Sequence, residues 1–152
     1  MKIYLSYSLS STDLYIAGLL THQAQSKGIS VETSQQHANS ADWGTLITHP
    51  IISSQAVVAI VSRDSQNTAS VQQELAFARM HGKPVLALVE SGSYFQTSTS
   101  GIQFVEFDRR NLNPALTRIS FILEGQKNQQ TATWLVAGGL ALLALYLIAQ
   151  EK

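Results

Sequence analysis

A single glutamate stands where a carboxylate could work on a ligand. An apolar run, AVVAIVS at 56–62, is followed by a polar segment and then by Ala69-Ser70-Val71-Gln72-Gln73-Glu74-Leu75. Ser70 has the character of a helix N-cap, and Glu74 then falls one turn in, near the positive end of that helix. A glutamate there can serve a ligand, or it can simply satisfy the helix dipole; the local sequence leaves both open. A second group is Ser6-Tyr7-Ser8, at the end of the alternating run KIYLSY. Neither serine has His and Asp partners nearby in the sequence, so both read as hydroxyl contacts or turn formers rather than nucleophiles. Ser62, at the end of the apolar run, is a third hydroxyl candidate.

Several chemistries are excluded. The chain has no Cys, which removes disulfides, thiolate catalysis and Cys-based metal sites. His22, His37, His49 and His81 show no HExxH or i,i+4 pairing, so no metal centre is expected. Neither GxGxxG nor GxxxxGK[ST] occurs, so there is no phosphate loop. Ten Lys and Arg balance ten Asp and Glu. With no basic excess to displace counterions, a nucleic-acid partner is not expected. Charged residues make up 13% of the 152, against roughly 25% in an ordinary soluble domain.

The elements that must position these groups alternate along the chain. Strands are expected at 2–7, 29–33, 56–62, 84–89 and, more weakly, 102–107. Helices are expected after Ser10–Asp13, through Trp43, Leu46, Ile47, Ile51 and Ile52 (disturbed by Pro50), through Val71, Leu75, Ala78 and Arg79, and from Asn113-Pro114 onward. The runs AVVAIVS and PVLALV are almost wholly apolar, as for strands buried on both faces. Alternating strands and helices imply an α/β domain, a parallel sheet covered on both faces by right-handed crossovers. Five strands suggest the flavodoxin-like order 2-1-3-4-5. A ligand would then bind beyond the carboxyl ends of strands 1 and 3. That locates the site at Ser6–Ser8, at the segment after Thr33 and at the segment after Ser62. A phosphoacceptor receiver domain would need acidic residues where this chain has Ser6 and Ser62.

Several blocks of the sequence match a known family. Ile3-Tyr4-Leu5-Ser6-Tyr7-Ser8 resembles the opening Ser-Tyr-Ser box of TIR (Toll/interleukin-1 receptor) domains. Asp42-Trp43 with Ile51-Ile52-Ser53-Ser54-Gln55-Ala56-Val57-Val58, then Val61-Ser62, Gln73-Glu74-Leu75-Ala76-Phe77-Ala78 and Gly82-Lys83-Pro84-Val85, resemble their later boxes in order and spacing. The resemblance covers about residues 2–90 and is to the bacterial type. It implies a flavodoxin-like sheet, NAD+ as substrate without a cofactor, and Glu74 as the catalytic carboxylate. It also implies Ser6, Tyr7, Ser8, Trp43, Ser62 and Ser70 as substrate contacts, with Tyr7 and Trp43 candidates for stacking on a ring. TIR–TIR contacts would make the active form a homo-oligomer in immune or antiphage signalling. The family often has Trp where this chain has Ser70, and Gly in the loop that here reads Ser34–Asp42. Two other functions compete: a non-enzymatic TIR scaffold, and a nucleoside deoxyribosyltransferase, a group with a similar fold and a similar "E…A…GKP" helix.

The C-terminal sequence has a different character. Ala132–Ala149, ATWLVAGGLALLALYLIA, has no charge and no proline. As a helix it would span about 27 Å, close to the roughly 30 Å hydrocarbon core, with Trp134 and Tyr146 suited to its two interfaces. The expected organisation is a TIR-like domain at 1–124, a polar linker at 125–131 and a membrane helix at 132–150. Lys127 and the arginines before it weakly favour a cytoplasmic domain. Ala137 and Ala141, beside Gly138 and Gly139, would let such helices approach closely.

Overall fold

The computed structural model describes residues 1–33, 47–64, 69–93 and 101–129. The elements run β1 (Lys2–Ser6), α1 (Ser11–Ser26), β2 (Ser30–Thr33), α2 (Thr48–Ser53), β3 (Ala56–Val61), α3 (Ala69–Met80), β4 (Val85–Glu90), β5 (Ile102–Phe107) and α4 (Asn113–Gln129). The five strands form one parallel sheet in the order 2-1-3-4-5, the order that the alternation of five strands with helices suggested.

Strand β3 is the spine of the sheet. Its six residues are all buried, and it pairs with β1 through Ile3↔Ala56 to Ser6↔Ala59 and with β4 through Val57↔Val85 to Val61↔Val89. Helices cover both faces. Ile3, Leu5 and Tyr7 of the β1 segment point to the side packed by Ile16 and Leu20 of α1 and by Ile119 and Ile122 of α4. Tyr4 points to the other side, with Ile51 of α2 and Val71 and Leu75 of α3. Because strand side chains alternate, a single residue decides which face each β1 group serves.

The helix ends follow local chemistry. Ser10 caps α1 by accepting the Asp13 backbone N–H at 3.2 Å. The chain leaves α1 through Gly28 at φ +74°, a conformation strained for residues with a Cβ. Pro50 does not break its helix. It is the third residue of α2, in the first turn, where a missing N–H removes no intrahelical bond. The expected linker at 125–131 is corrected in part, since α4 continues through Gln129. Its last turns are held on the body of the domain: Gln126 is buried and donates to the Gln55 carbonyl at 3.4 Å, and Lys127 Nζ donates to the Lys27 carbonyl at 2.6 Å. Among the described residues no helix is long and apolar enough to cross a membrane, and the apolar segment 132–150 lies outside them.

One carboxylate ties together the connections at the carboxyl edge of the sheet. Glu90, the last residue of β4, is 2% exposed. Its Oε1 accepts the Arg63 backbone N–H at 2.8 Å and Arg109 Nη2 at 2.8 Å. Its Oε2 accepts Arg63 Nη2 at 3.1 Å and Arg109 Nε. Arg109 Nη2 also reaches Asp64 Oδ2 at 3.3 Å. The segments after β3, β4 and β5 thus meet on one side chain. The hydrogen bonds from Arg109 outweigh the cost of burial and, with those from Arg63, lower the Glu90 pKa to about 2 from an ordinary 4.5. A group whose folded pKa is depressed stabilises the fold above its unfolded pKa and loses that contribution as pH falls through the folded one. Glu90→Gln should therefore cost about 2 kcal/mol at pH 7, after allowing for screening of the two partly exposed guanidinium groups. The difference from wild type should shrink below pH 4.5 and be gone below about pH 2. Urea unfolding across that range checks it; a penalty independent of pH would contradict this origin.

Candidate functional site

The site forms where β1 and β3 send their chains to opposite faces of the sheet. The connection from β1 enters α1 on one side, and that from β3 enters α3 on the other. The crevice between two such strands is open to a ligand at their carboxyl ends.

Glu74 occupies the inner face of α3, five residues after its first residue, and is 2% exposed. It lies under β1, where Tyr4 and Ser6 share a strand face because they are two residues apart. Burial raises the Glu74 pKa to about 7 from an ordinary 4.5; the hydroxyls of Ser6 and Tyr4 offset part of that rise by hydrogen bonding to the ionised form. Both Glu74 Oε2 and Ser6 Oγ are buried and reach no partner at full hydrogen-bond geometry among the described residues. A buried carboxyl with an unsatisfied oxygen costs stability, which is expected of a group kept for chemistry rather than for packing. At neutral pH it is divided between its acid and its base.

The other candidates separate. Ser62 is fully buried at the end of β3, and its Oγ accepts the Asp64 N–H at 3.2 Å. It shapes the first turn of the connection that leads to α3. Tyr7 is corrected as a stacking residue. One position past Ser6, it points to the opposite face of the sheet and packs with Leu5, Ile16 and Leu20. Burial raises its pKa, and a hydrogen bond with Thr33 acts in the other direction. Ser8 is engaged at the start of α1. Its Oγ donates to Asp13 Oδ2 at 2.8 Å and accepts the Ser10 N–H at 3.2 Å. Ser70 is not the N-cap: α3 begins at Ala69, so Ser70 lies inside the first turn and is exposed. Trp43 and the loop 34–46 lie outside the described residues. Of the predicted site, the structure brings Glu74 and Ser6 together.

Sequence reasoning missed Tyr4 and Glu90. Tyr4 was legible from the period of two, because it shares a strand face with Ser6. Glu90 was marked by its place, a carboxylate ending the apolar run PVLALV at the ligand-facing edge. Among the described residues, no group of three or more His, Cys, Asp and Glu side chains is arranged to hold a metal ion.

Solved structures share this architecture at low identity. A 2-deoxyribosyltransferase from Bacillus psychrosaccharolyticus superposes with a TM-score of 0.58 at 16% identity, over 76% of this chain and 90% of that one. The CMP N-glycosidase BcmB of Clostridium botulinum gives 0.55 at 12% identity, over 78% of this chain and 98% of that one. These likenesses establish the fold. No curated protein sequence matches the chain. The sequence pattern of the TIR domain matches residues 3–119, nearly the whole of the sheet and its helices. This chain belongs to the TIR domain family.

Proposed function

We propose that this TIR domain cleaves the N-glycosidic bond between nicotinamide and ribose in NAD+, with Glu74 as the catalytic carboxylate. The observation that carries this reading is the burial of Glu74 beneath the β1–β3 crevice, with a pKa near neutrality. The likeness to a CMP N-glycosidase and to a deoxyribosyltransferase supports the same class of bond.

Nicotinamide is cationic in the substrate, so the C1′–N bond can break without prior protonation. Its electron pair passes to the ring nitrogen and neutralises it. The ribose is left as an oxocarbenium ion, and an ionised carboxylate nearby stabilises that developing charge. Water then adds to C1′ and loses a proton, giving ADP-ribose; attack by a nitrogen of the adenine instead gives a cyclic product. Ser6, at the end of β1, supplies a hydroxyl on the Glu74 side of the crevice.

The ionised form is the working form. Turnover (kcat/KM) should rise with pH through about 7 and level off above it. A profile falling over that range would assign Glu74 the role of a proton donor instead. Glu74→Gln should lose turnover by about a hundredfold or more while gaining stability. A carboxyl raised by burial makes the native state bind more protons than the unfolded one between pH 4.5 and about 7. Wild-type stability therefore falls across that window. The Gln variant should be more stable at pH 8 by on the order of 3 kcal/mol, and nearly equal at pH 4. NAD+ consumption and thermal unfolding, measured on the same preparations, test both effects. Equal turnover by variant and wild type would remove Glu74 from the chemistry.

A second reading is a TIR scaffold that works through homotypic contacts without turnover. It is favoured by Leu9, Leu14 and Tyr15, large side chains exposed at and beside the start of α1. The same patch suits an oligomeric enzyme. Self-association that survives Glu74→Gln, with no NAD+ consumption by wild type, would select the scaffold. We further propose that 132–150 anchors the domain in a membrane, where confinement raises the effective concentration of neighbouring copies. The full chain should then float with liposomes and a chain ending at Gln129 should not; equal flotation would reject the anchor.

A further inference from the structure

The apolar C-terminal segment is tethered to the edge of the sheet opposite the crevice. In a parallel sheet with helical crossovers, the strands start at one edge and the helices end there. Here that amino-terminal edge holds the last turns of α4. Gln126 donates to the carbonyl of Gln55, the residue before β3, and Lys127 donates to the carbonyl of Lys27, the residue after α1. Gln129 is three residues beyond Gln126, about 4.5 Å further along the helix. The uncharged run begins at Ala132, and the three residues from Gln129 to it reach at most about 11 Å.

The same edge has a charge of its own. All four lysines among the described residues lie on it: Lys2 opens β1, Lys27 follows α1, Lys83 stands between α3 and β4, and Lys127 is in the last turn of α4. Arg79, in the last turn of α3, joins them. Among the described residues two carboxylates oppose them, Glu32 paired with Lys2 at 3.0 Å and Glu124 paired with Lys27 at 2.9 Å. Five cations against two carboxylates leave an excess of three, in a chain whose charges balance. At the carboxyl edge, by contrast, Arg63 and Arg109 are paired with Glu90 and Asp64. Lysines near helix ends also complement the helix dipoles, but that role calls for no apolar side chain beside them. Met80, the last residue of α3, is 77% exposed among these cations. Ammonium groups on flexible apolar stems, with a methionine between them, match the phosphates of an anionic lipid surface and the apolar layer just beneath.

We infer that this lysine edge seats the domain on an anionic membrane surface, so that the crevice faces away from the bilayer. The inference rests on the anchor proposed for 132–150. A strand of six residues is about 20 Å long, so the carboxyl ends of β1 and β3 stand about that far from the lipid headgroups. The negative field of the membrane fades within a Debye length of about 8 Å. A soluble, negatively charged dinucleotide then reaches the crevice from the aqueous phase without crossing that field. Leu9 and Tyr15, at and beside the start of α1, lie on the far side as well and stay open to neighbouring copies.

The chain has no cysteine, so a single introduced one reports a single place. Met80→Cys and Tyr15→Cys replace side chains that are 77% and 63% exposed, at opposite edges of the sheet. In the full chain, reconstituted in vesicles of equal parts phosphatidylcholine and phosphatidylserine, a fluorophore at each site is quenched by lipids carrying a nitroxide headgroup. The label at position 80 should be quenched strongly and the label at position 15 little. Pure phosphatidylcholine, or high salt, should reduce the quenching at position 80 while the chain still floats with the vesicles. Each lysine contributes about a fivefold preference for the docked state, so Lys27→Gln with Lys83→Gln should lower the ratio of docked to undocked domains roughly 25-fold with the anchor intact. Equal quenching at the two positions, or more at position 15, overturns the orientation. Quenching at position 80 that ignores phosphatidylserine, salt and the lysine changes overturns the role of the charges. A full chain that does not float at all overturns the anchor, and this inference with it.

Discussion

Strand β3 carries the constraint on which the rest depends. Its six residues are all buried, so both of its edges and both of its faces must be occupied by protein. The parallel pairing with β1 and β4 satisfies the edges, and helices on either side satisfy the faces. Parallel strands need crossovers, and crossovers of one hand on an order that reverses at β1 send α1 and α3 to opposite sides. The crevice at the carboxyl end is a consequence of that reversal. It exists because the sheet is wound outward from its centre, whatever residues line it.

On the α3 side of β1, against Ser6 and Tyr4, the fold buries a carboxyl it could have done without. Glu74 is on the buried stripe of α3 with Val71, Leu75 and Ala78, where an apolar side chain would pack without penalty. The same burial that costs stability brings its pKa to about 7, so the carboxyl can change charge under physiological conditions. Glu90 shows the opposite balance. It is as little exposed as Glu74, yet two guanidinium groups and a backbone N–H hold it ionised far below neutrality. The two glutamates thus have different chemistry: desolvation dominates at Glu74, which lies deep among its neighbours, and hydrogen bonds from Arg109 dominate at Glu90, which lies less deep. One is poised and the other locked, and the locked one ties together the segments that follow β3 and β5.

Much of this arrangement was legible from residue order. The apolar runs at 56–62 and 84–89 announced strands buried on both faces, and the alternation of strands with helices led to the order of the sheet before any contact was known. The position of Glu74 after the third strand followed from the same topology. Tyr7 and Ser70 were misplaced for reasons that are equally physical. Tyr7 sits one residue past the end of β1, and a strand's period of two turns a shift of one into a change of face. Ser70 is the second residue of α3, two positions past a cap, and that is enough to make it an exposed first-turn residue.

By itself the sequence determined the fold class, the two central strands buried on both faces and the family, because these depend on patterns local to each element and on their order. Only the tertiary structure decided the ionisation of the two glutamates and the partnership of Glu90 with Arg63 and Arg109. Glu90 meets Arg63 across 27 residues and Arg109 across 19. Contacts of that separation are set by how strands stack side by side, and the electrostatics of a buried group depends on every charge the stacking brings within a few ångströms.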